Sequence, residues 1–245
     1  MIEHPYPQGT DDWLEARRGV ITASRAKDAR DRDSKGKPSA KMLNYAMDTA
    51  RERCGGKAAP VYQNAAMRMG SEEEQFAAIE YMARTGSALS EAFFITTDDR
   101  KFGLSLDRWV NAEAAIEVKT MVSSATLFKA MVEGDISEYR DQCVFALWAL
   151  RLQWVDLCLW APDLPNPLKV IRITRDEAEI QRLEDDMVAL DRLVCPYAAR
   201  LRTAMNTELA ATPPWEPTAT PAKATTPAAS PAPTVAPGAI PAPAF

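Results

Sequence analysis

The stretch Phe102-Gly103-Leu104-Ser105-Leu106-Asp107-Arg108-Trp109-Val110-Asn111-Ala112-Glu113-Ala114-Ala115-Ile116-Glu117-Val118-Lys119-Thr120 decides the fold. Phe102 to Leu106, Arg108 to Val110 and Ala115 to Lys119 are short β-rich runs separated by polar turns. With Ala92 to Thr96 before them, they predict an antiparallel meander. Alternate side chains of a strand share a face, so Glu117 and Lys119 point together while Ile116 and Val118 point into apolar packing. Asp107 closes the strand before. Two acids and an ammonium on adjoining strands make a small hard-oxygen site of the kind that suits magnesium or manganese. Asp107 and Glu117 would hold the cation, the Val118 carbonyl would complete its shell, and Lys119 would orient or help deprotonate a water and offset charge on a phosphate. An acid-x-lysine doublet alone is weak evidence, because such pairs are commonly solvated ion pairs on strands.

Outward from this stretch the period is helical. Asp11 or Asp12 caps a short helix ending at Gly19, and Thr22 caps a second through about Arg30. Ser39 to Arg53 and Gln63 to Arg84 follow, the latter closed by Gly86. Downstream, Ser124 to Val132 and Glu138 to Leu152 are helical, Val155 to Trp160 and Lys169 to Thr174 are strands, and Asp176 to about Met205 is a terminal helix. The class is α/β. From Thr212 to Phe245 the chain is almost wholly Pro, Ala and Thr and holds ten of the eighteen prolines, with only Glu216 and Lys223 charged. Residues 212–245 are therefore expected to be a disordered tail following a domain over 1–211, with Trp215 the natural anchor if the tail docks.

Composition removes much other chemistry. His4 is the only histidine among 245 residues and sits near an end expected to be mobile, which disfavours Ser-His-Asp and Cys-His catalysis and His-rich metal sites. Cys54, Cys143, Cys158 and Cys195 are far apart and form no CxxC pair. No apolar run approaches the roughly 20 residues of a bilayer-spanning helix, and the N-terminus has no secretory pattern, so a cytoplasmic location is expected. The formal charge of −5 gives no overall attraction to nucleic acid, yet Arg17 to Lys41 holds nine basic residues against three acidic ones.

Several separated segments together resemble the bacteriophage lambda exonuclease and YqaJ-type viral recombinase nucleases of the PD-(D/E)xK superfamily. They are Gln8-Gly9-Thr10-Asp11-Asp12-Trp13, Arg17-x-Gly19-Val20-Ile21-Thr22-Ala23-Ser24, Gly70-Ser71-Glu72-Glu73-Glu74, Ser105-x-Asp107, Glu117-Val118-Lys119 and Tyr139-x-x-Gln142. The resemblance implies a restriction-endonuclease-like core, a mixed central sheet flanked by helices. It makes Asp107, Glu117 and Lys119 the catalytic core, Glu74 a helix-borne carboxylate near the metal, and Gln142 a support. Glu73 is the rival to Glu74. Arg17, Ser24, Arg25 and Arg108 become the 5′-phosphate and DNA contacts.

The activity implied is magnesium-dependent digestion of one strand of linear duplex DNA from its 5′ end, leaving 3′ overhangs for phage-type recombination. Manganese is expected to substitute. A homotrimeric ring around DNA, lined by the Arg17 to Lys41 segment, and a single-strand annealing protein as partner are implied as well. Two alternatives stay open: a restriction-like or repair endonuclease, and a non-catalytic DNA-binding scaffold. The family commonly has Ser-Pro-Asp-Gly around the first aspartate, where this chain has Ser105-Leu106-Asp107-Arg108. Arg108 is expected to project across the strand toward the DNA backbone; folded inward, it would compete with the metal.

Overall fold

The computed structural model describes residues 1–57 and 65–211; the expected tail with Trp215, and the first residues of the helix expected from Gln63, lie outside them. In chain order the elements begin with β1 (Ile2–His4), α1 (Asp11–Arg17), β2 (Ile21–Thr22), α2 (Ala26–Arg30), α3 (Ala40–Arg53) and α4 (Ala65–Thr85). Then come β3 (Ser90–Glu91), β4 (Phe94–Thr96), β5 (Phe102–Ser105), β6 (Arg108–Asn111) and β7 (Ala114–Thr120). The remainder is α5 (Ser124–Leu127), α6 (Arg140–Ala149), β8 (Trp154–Trp160), β9 (Leu168–Thr174) and α7 (Glu177–Ala211).

The expected α/β architecture takes the form of two mixed sheets. One has the order β1-β4-β5-β2 and the other β3-β6-β7-β8-β9; β2 runs parallel to β5 and β7 to β8, and the other pairs are antiparallel. The four runs between residues 92 and 120 are therefore not one meander. β4 pairs with β5 in the first sheet and β6 with β7 in the second. Phe102, Leu104 and Leu106 all enter the main apolar cluster, and the chain leaves the first sheet after Ser105, where β5 ends. Asp107 falls in the crossover. Gly103 permits β4 and β5 to meet closely, since a Cβ there would stand 2.7 Å from Phe94 Cζ and 2.9 Å from Val20 Cγ1.

Both faces of β7 are covered. Ile116 and Val118 pack with Ala77, Ala78 and Tyr81 of α4 in one cluster, whereas α6 and α7 contribute Phe145, Leu147, Leu183 and Leu190 to the larger cluster on the other side. Each fully buried aliphatic or aromatic side chain of this kind contributes roughly 1.5–3 kcal/mol. That burial fixes the register of β7 and hence which way Glu117 and Lys119 point.

Three local expectations need correction. Thr10, not Asp11 or Asp12, caps α1 by accepting a 3.3 Å bond from the Trp13 N–H. Thr22 makes no side-chain cap; a single 3₁₀ turn, Ala23–Arg25, intervenes before α2. The N-terminus is anchored, because β1 pairs with β4 and His4 Nε2 lies 3.1 Å from Thr96 Oγ1. The four cysteines are free thiols.

Candidate active site

Asp107 owes its position to the place where strand pairing stops. β6 begins at Arg108, which lies opposite Ile116, so the ladder has no strand residue left to receive the N–H of Val118 two positions on. The Asp107 carboxylate takes it: Val118 N donates to Oδ2 at 2.6 Å. This is a side chain finishing a backbone ladder, and it ties the crossover to the middle of β7.

Glu117 and Lys119 share the opposite face, as their spacing predicts. Lys119 Nζ donates to Glu117 Oε1 at 2.7 Å, and Gln142 Nε2 from α6 donates to the same oxygen at 2.5 Å. Glu117 is only 4% exposed. Tyr139 is the residue before α6 and packs, half-buried, against the main cluster.

Helix α4 resolves the choice between its adjacent acids. Glu74 lies on the stripe continued by Ala78 and Tyr81, and Glu73 on the one continued by Ala77, so both lean toward the sheet. Glu73 Oε2 accepts a 2.8 Å bond from Trp160 Nε1 on β8 and is thereby drawn aside. Glu74 is the one near Asp107. The expectation for Arg108 is overturned: its guanidinium turns inward, donating to Glu74 Oε1 at 2.7 Å and also to the Asp107 carbonyl. The reason is charge. An arginine beside three gathered acids gains more from an adjacent carboxylate than from water.

That gathering is visible in the electrostatics. Burial raises the Glu117 pKa to about 8, with repulsion from Asp107 adding to it and Lys119 opposing it. Glu74 rises to about 7, first through burial and then through Asp107, against Arg108. Asp107 is raised by burial and restrained by Lys119, the Val118 N–H and Arg108. Burial works against the Lys119 ammonium, but Glu117 and Asp107 outweigh it and push its pKa up. The two carboxylates thus favour the charged form of Lys119.

Among the described residues no three His, Cys, Asp or Glu side chains form a group that could hold a metal ion as they stand. At this site Arg108 holds one oxygen of the third carboxylate, that of Glu74. The donor chemistry still fits a hard divalent ion: three carboxylates within repulsive reach of one another, each spending one oxygen on a protein donor and none supplied by nitrogen or sulfur.

The candidate phosphate residues lie beside the strand that leads to Asp107. Thr22 pairs with Gly103, roughly 13 Å of extended chain before Asp107. The Arg17 guanidinium is stacked 4.3 Å from the Trp13 ring centroid and 5.1 Å from that of Phe94. Its burial pulls its pKa down, against attraction from Tyr45 and Glu52. Ser24 is exposed, with Oγ 3.3 Å from Thr22 Oγ1. Arg25 differs from Arg17: it stacks 3.7 Å over Tyr45 and pairs with Asp28 at 3.2 Å and Asp48 at 3.3 Å. Much of the basic segment is similarly spent. Arg30 meets Asp141 and Asp186, Arg32 meets Asp186, and Lys27 meets Glu138, so the excess counted along the sequence is largely compensated within the fold.

Residues 12–150 match the YqaJ-like viral recombinase domain. The chain belongs to that family. Its fold is similar to that of an alkaline exonuclease (LHK-Exo) from Laribacter hongkongensis, at 28% identity and a TM-score of 0.70, over 81% of this chain and 100% of that one. The same enzyme in complex with dAMP matches at 26% identity and a TM-score of 0.70, over 83% and 100%. A phage-related exonuclease from Haemophilus somnus 129PT shares the fold at 14% identity and a TM-score of 0.61, over 76% and 96%. No curated protein sequence matches the chain.

The YqaJ-like segment contains Arg17, Ser24, Arg25, Glu74, Asp107, Arg108, Glu117, Val118, Lys119 and Gln142. Trp160 lies beyond it and had no signal in the sequence, although its indole N–H is the donor that holds Glu73. Phe94 was equally silent, while Trp13 stood in the opening motif without any sign that it would carry Arg17.

Proposed function

We propose that this YqaJ-like chain is a magnesium-dependent exodeoxyribonuclease that digests one strand of linear duplex DNA from its 5′ end and leaves 3′ overhangs for phage-type recombination. One observation carries it: Asp107 from a sheet crossover, Glu117 and Lys119 from β7 and Glu74 from α4 lie together in a chain of this family, folded like an alkaline exonuclease. Asp107, Glu117, Glu74 and the Val118 carbonyl would hold the ion, with manganese able to replace magnesium; when bound, it supplies a water of lowered pKa and a Lewis acid for the phosphate. Gln142 and Lys119 fix the Glu117 carboxylate, and the Lys119 ammonium offsets charge gathering on the phosphate oxygens. Arg17, desolvated on Trp13 and Phe94 with no carboxylate hydrogen-bonded to it among the described residues, would receive the terminal 5′-phosphate with Ser24 beside it. Arg25 would join only by leaving Asp28 and Asp48. A ring of three copies around DNA and a single-strand annealing partner complete the proposal and rest on the family resemblance alone.

Digestion of 5′-phosphorylated linear duplex and of closed circular duplex, each with magnesium, tests this against Lys119→Ala and Glu117→Ala. Wild type should shorten the 5′ strand of the linear duplex and spare the circle. Equal digestion by all three proteins would remove the catalytic assignment. Cleavage of the circle would favour an endonuclease.

A further inference from the structure

Three acids at the site face two cations, and the two cations have different standing. Lys119 belongs to the Glu117-Val118-Lys119 strand, whereas Arg108 opens β6 directly after the sheet crossover. Its Nη1 bridges Glu74 Oε1, at 2.7 Å, and the backbone carbonyl of Asp107, clamping α4 to the sheet crossover. The pair is not sealed: the two side chains are 29% and 23% exposed. A guanidinium on Glu74 Oε1 and a divalent ion on the same carboxylate repel each other and compete for its negative charge, so each weakens the hold of the other.

We propose that Arg108 is a latch that keeps Glu74 out of the divalent-ion site until a phosphate of bound DNA draws the guanidinium away. Phosphate is the acceptor that competes with a carboxylate for arginine in its own bidentate geometry, and the exposed side of Arg108 is open to it. Ion binding through Glu74 and DNA binding are then coupled, and each strengthens the other by the same factor. Arg108 acts here as a positioning residue. The inference rests on the metal-dependent nuclease function proposed above and adds the order in which the site is completed.

Calorimetric titration of manganese into the DNA-free protein tests it, comparing wild type, Arg108→Ala, Arg108→Ala with Glu74→Gln, and Glu117→Gln. Removing the latch should tighten manganese binding about tenfold, and the added Glu74→Gln should abolish that gain. A short 5′-phosphorylated duplex with non-hydrolysable linkages should tighten binding in wild type and have much less effect in Arg108→Ala. If Arg108→Ala fails to fold, Arg108→Gln keeps the side-chain bulk and carries the same expectation. Manganese binding that Glu117→Gln abolishes but Arg108→Ala leaves at the wild-type value would overturn the latch and spare the ion site. Binding untouched by Glu117→Gln would overturn the ion site itself, and the latch with it.

Discussion

Two buried acids on neighbouring strands of one sheet have opposite fates. Asp156 on β8 lies opposite Ile116 of β7, one register position from Glu117. It is 1% exposed, and its oxygens are spent: Arg172 donates to both, at 2.8 and 2.9 Å, and Tyr81 Oη donates to Oδ2 at 2.8 Å. Arg172 in turn stacks 3.7 Å over Trp154. Glu117 is almost as deeply buried, yet shares its single ammonium with Asp107 and is raised to about 8. A structural acid is matched one to one by a cation and saturated with donors. Around Glu117 the acids outnumber the cations, and the surplus negative charge is what a divalent ion would relieve.

Substitution of each acid should separate these fates most sharply. Glu117→Gln is expected to lower digestion of linear duplex by about a thousandfold or more, the scale of losing an electrostatic element of a preorganised site, while leaving thermal unfolding near pH 7 unchanged or raised. Asp156→Asn should do the reverse, costing about 2 kcal/mol of stability by breaking a buried hydrogen-bonded pair and leaving digestion largely intact at low temperature. Similar unfolding losses in both variants would erase the distinction between a structural and a functional acid.

The pH dependence of folding probes the same contrast with a smaller effect. Glu117 and Glu74 bind protons in the ion-free fold at about 8 and 7, above the 4.5 of an ordinary glutamate. The native state therefore holds more protons than the unfolded chain between these values, and stability must fall as pH rises. The contribution is fully present below about 4.5 and lost through about 8. On the order of 5 kcal/mol is at stake for Glu117 over that span. Urea unfolding at pH 5 and pH 8.5 should show that loss in wild type, a much reduced loss in Glu117→Gln, and a reduced loss on adding magnesium. Equal losses in wild type and Glu117→Gln would break the contrast.

The legible part of this site was local, and the illegible part was pairing. The period-2 alternation of Ile116, Glu117, Val118 and Lys119 determines two faces whatever strand lies alongside, and it placed Glu117 with Lys119 correctly. Which strand lies alongside depends on burial far away in sequence. Nothing in residues 92 to 120 distinguishes one meander from two hairpins in two sheets, and it is the second arrangement that puts Asp107 under the Val118 N–H. The inward turn of Arg108 was hidden for a related reason: its direction is set by Glu74, 34 positions earlier and on another element. The ion pairs that engage Arg30 and Arg32 were hidden for the same reason, since their acids Asp141 and Asp186 are distant along the chain.

The finest version of the comparison lies within two adjacent residues of α4. Glu73 resembles Asp156 in being assigned to a structural donor, the indole N–H of Trp160, while Glu74 resembles Glu117 in being raised by burial and then by Asp107. Glu74→Gln should lower digestion about tenfold, a loss of about 1.4 kcal/mol, because amide and carboxylate match in shape but differ in charge. Glu73→Gln keeps an oxygen for Trp160 and should change digestion less than twofold. Trp160→Phe removes the donor, at an expected cost in stability of about 1 kcal/mol for one hydrogen bond. It also frees Glu73, whose carboxylate then has α4 backbone positions one residue from those of Glu74. If Trp160→Phe restores digestion to a Glu74→Gln protein, the indole is what selects one acid over its neighbour; if Glu73→Gln alone costs as much as Glu74→Gln, both carboxylates serve the site and the assignment of Glu73 to structure is wrong.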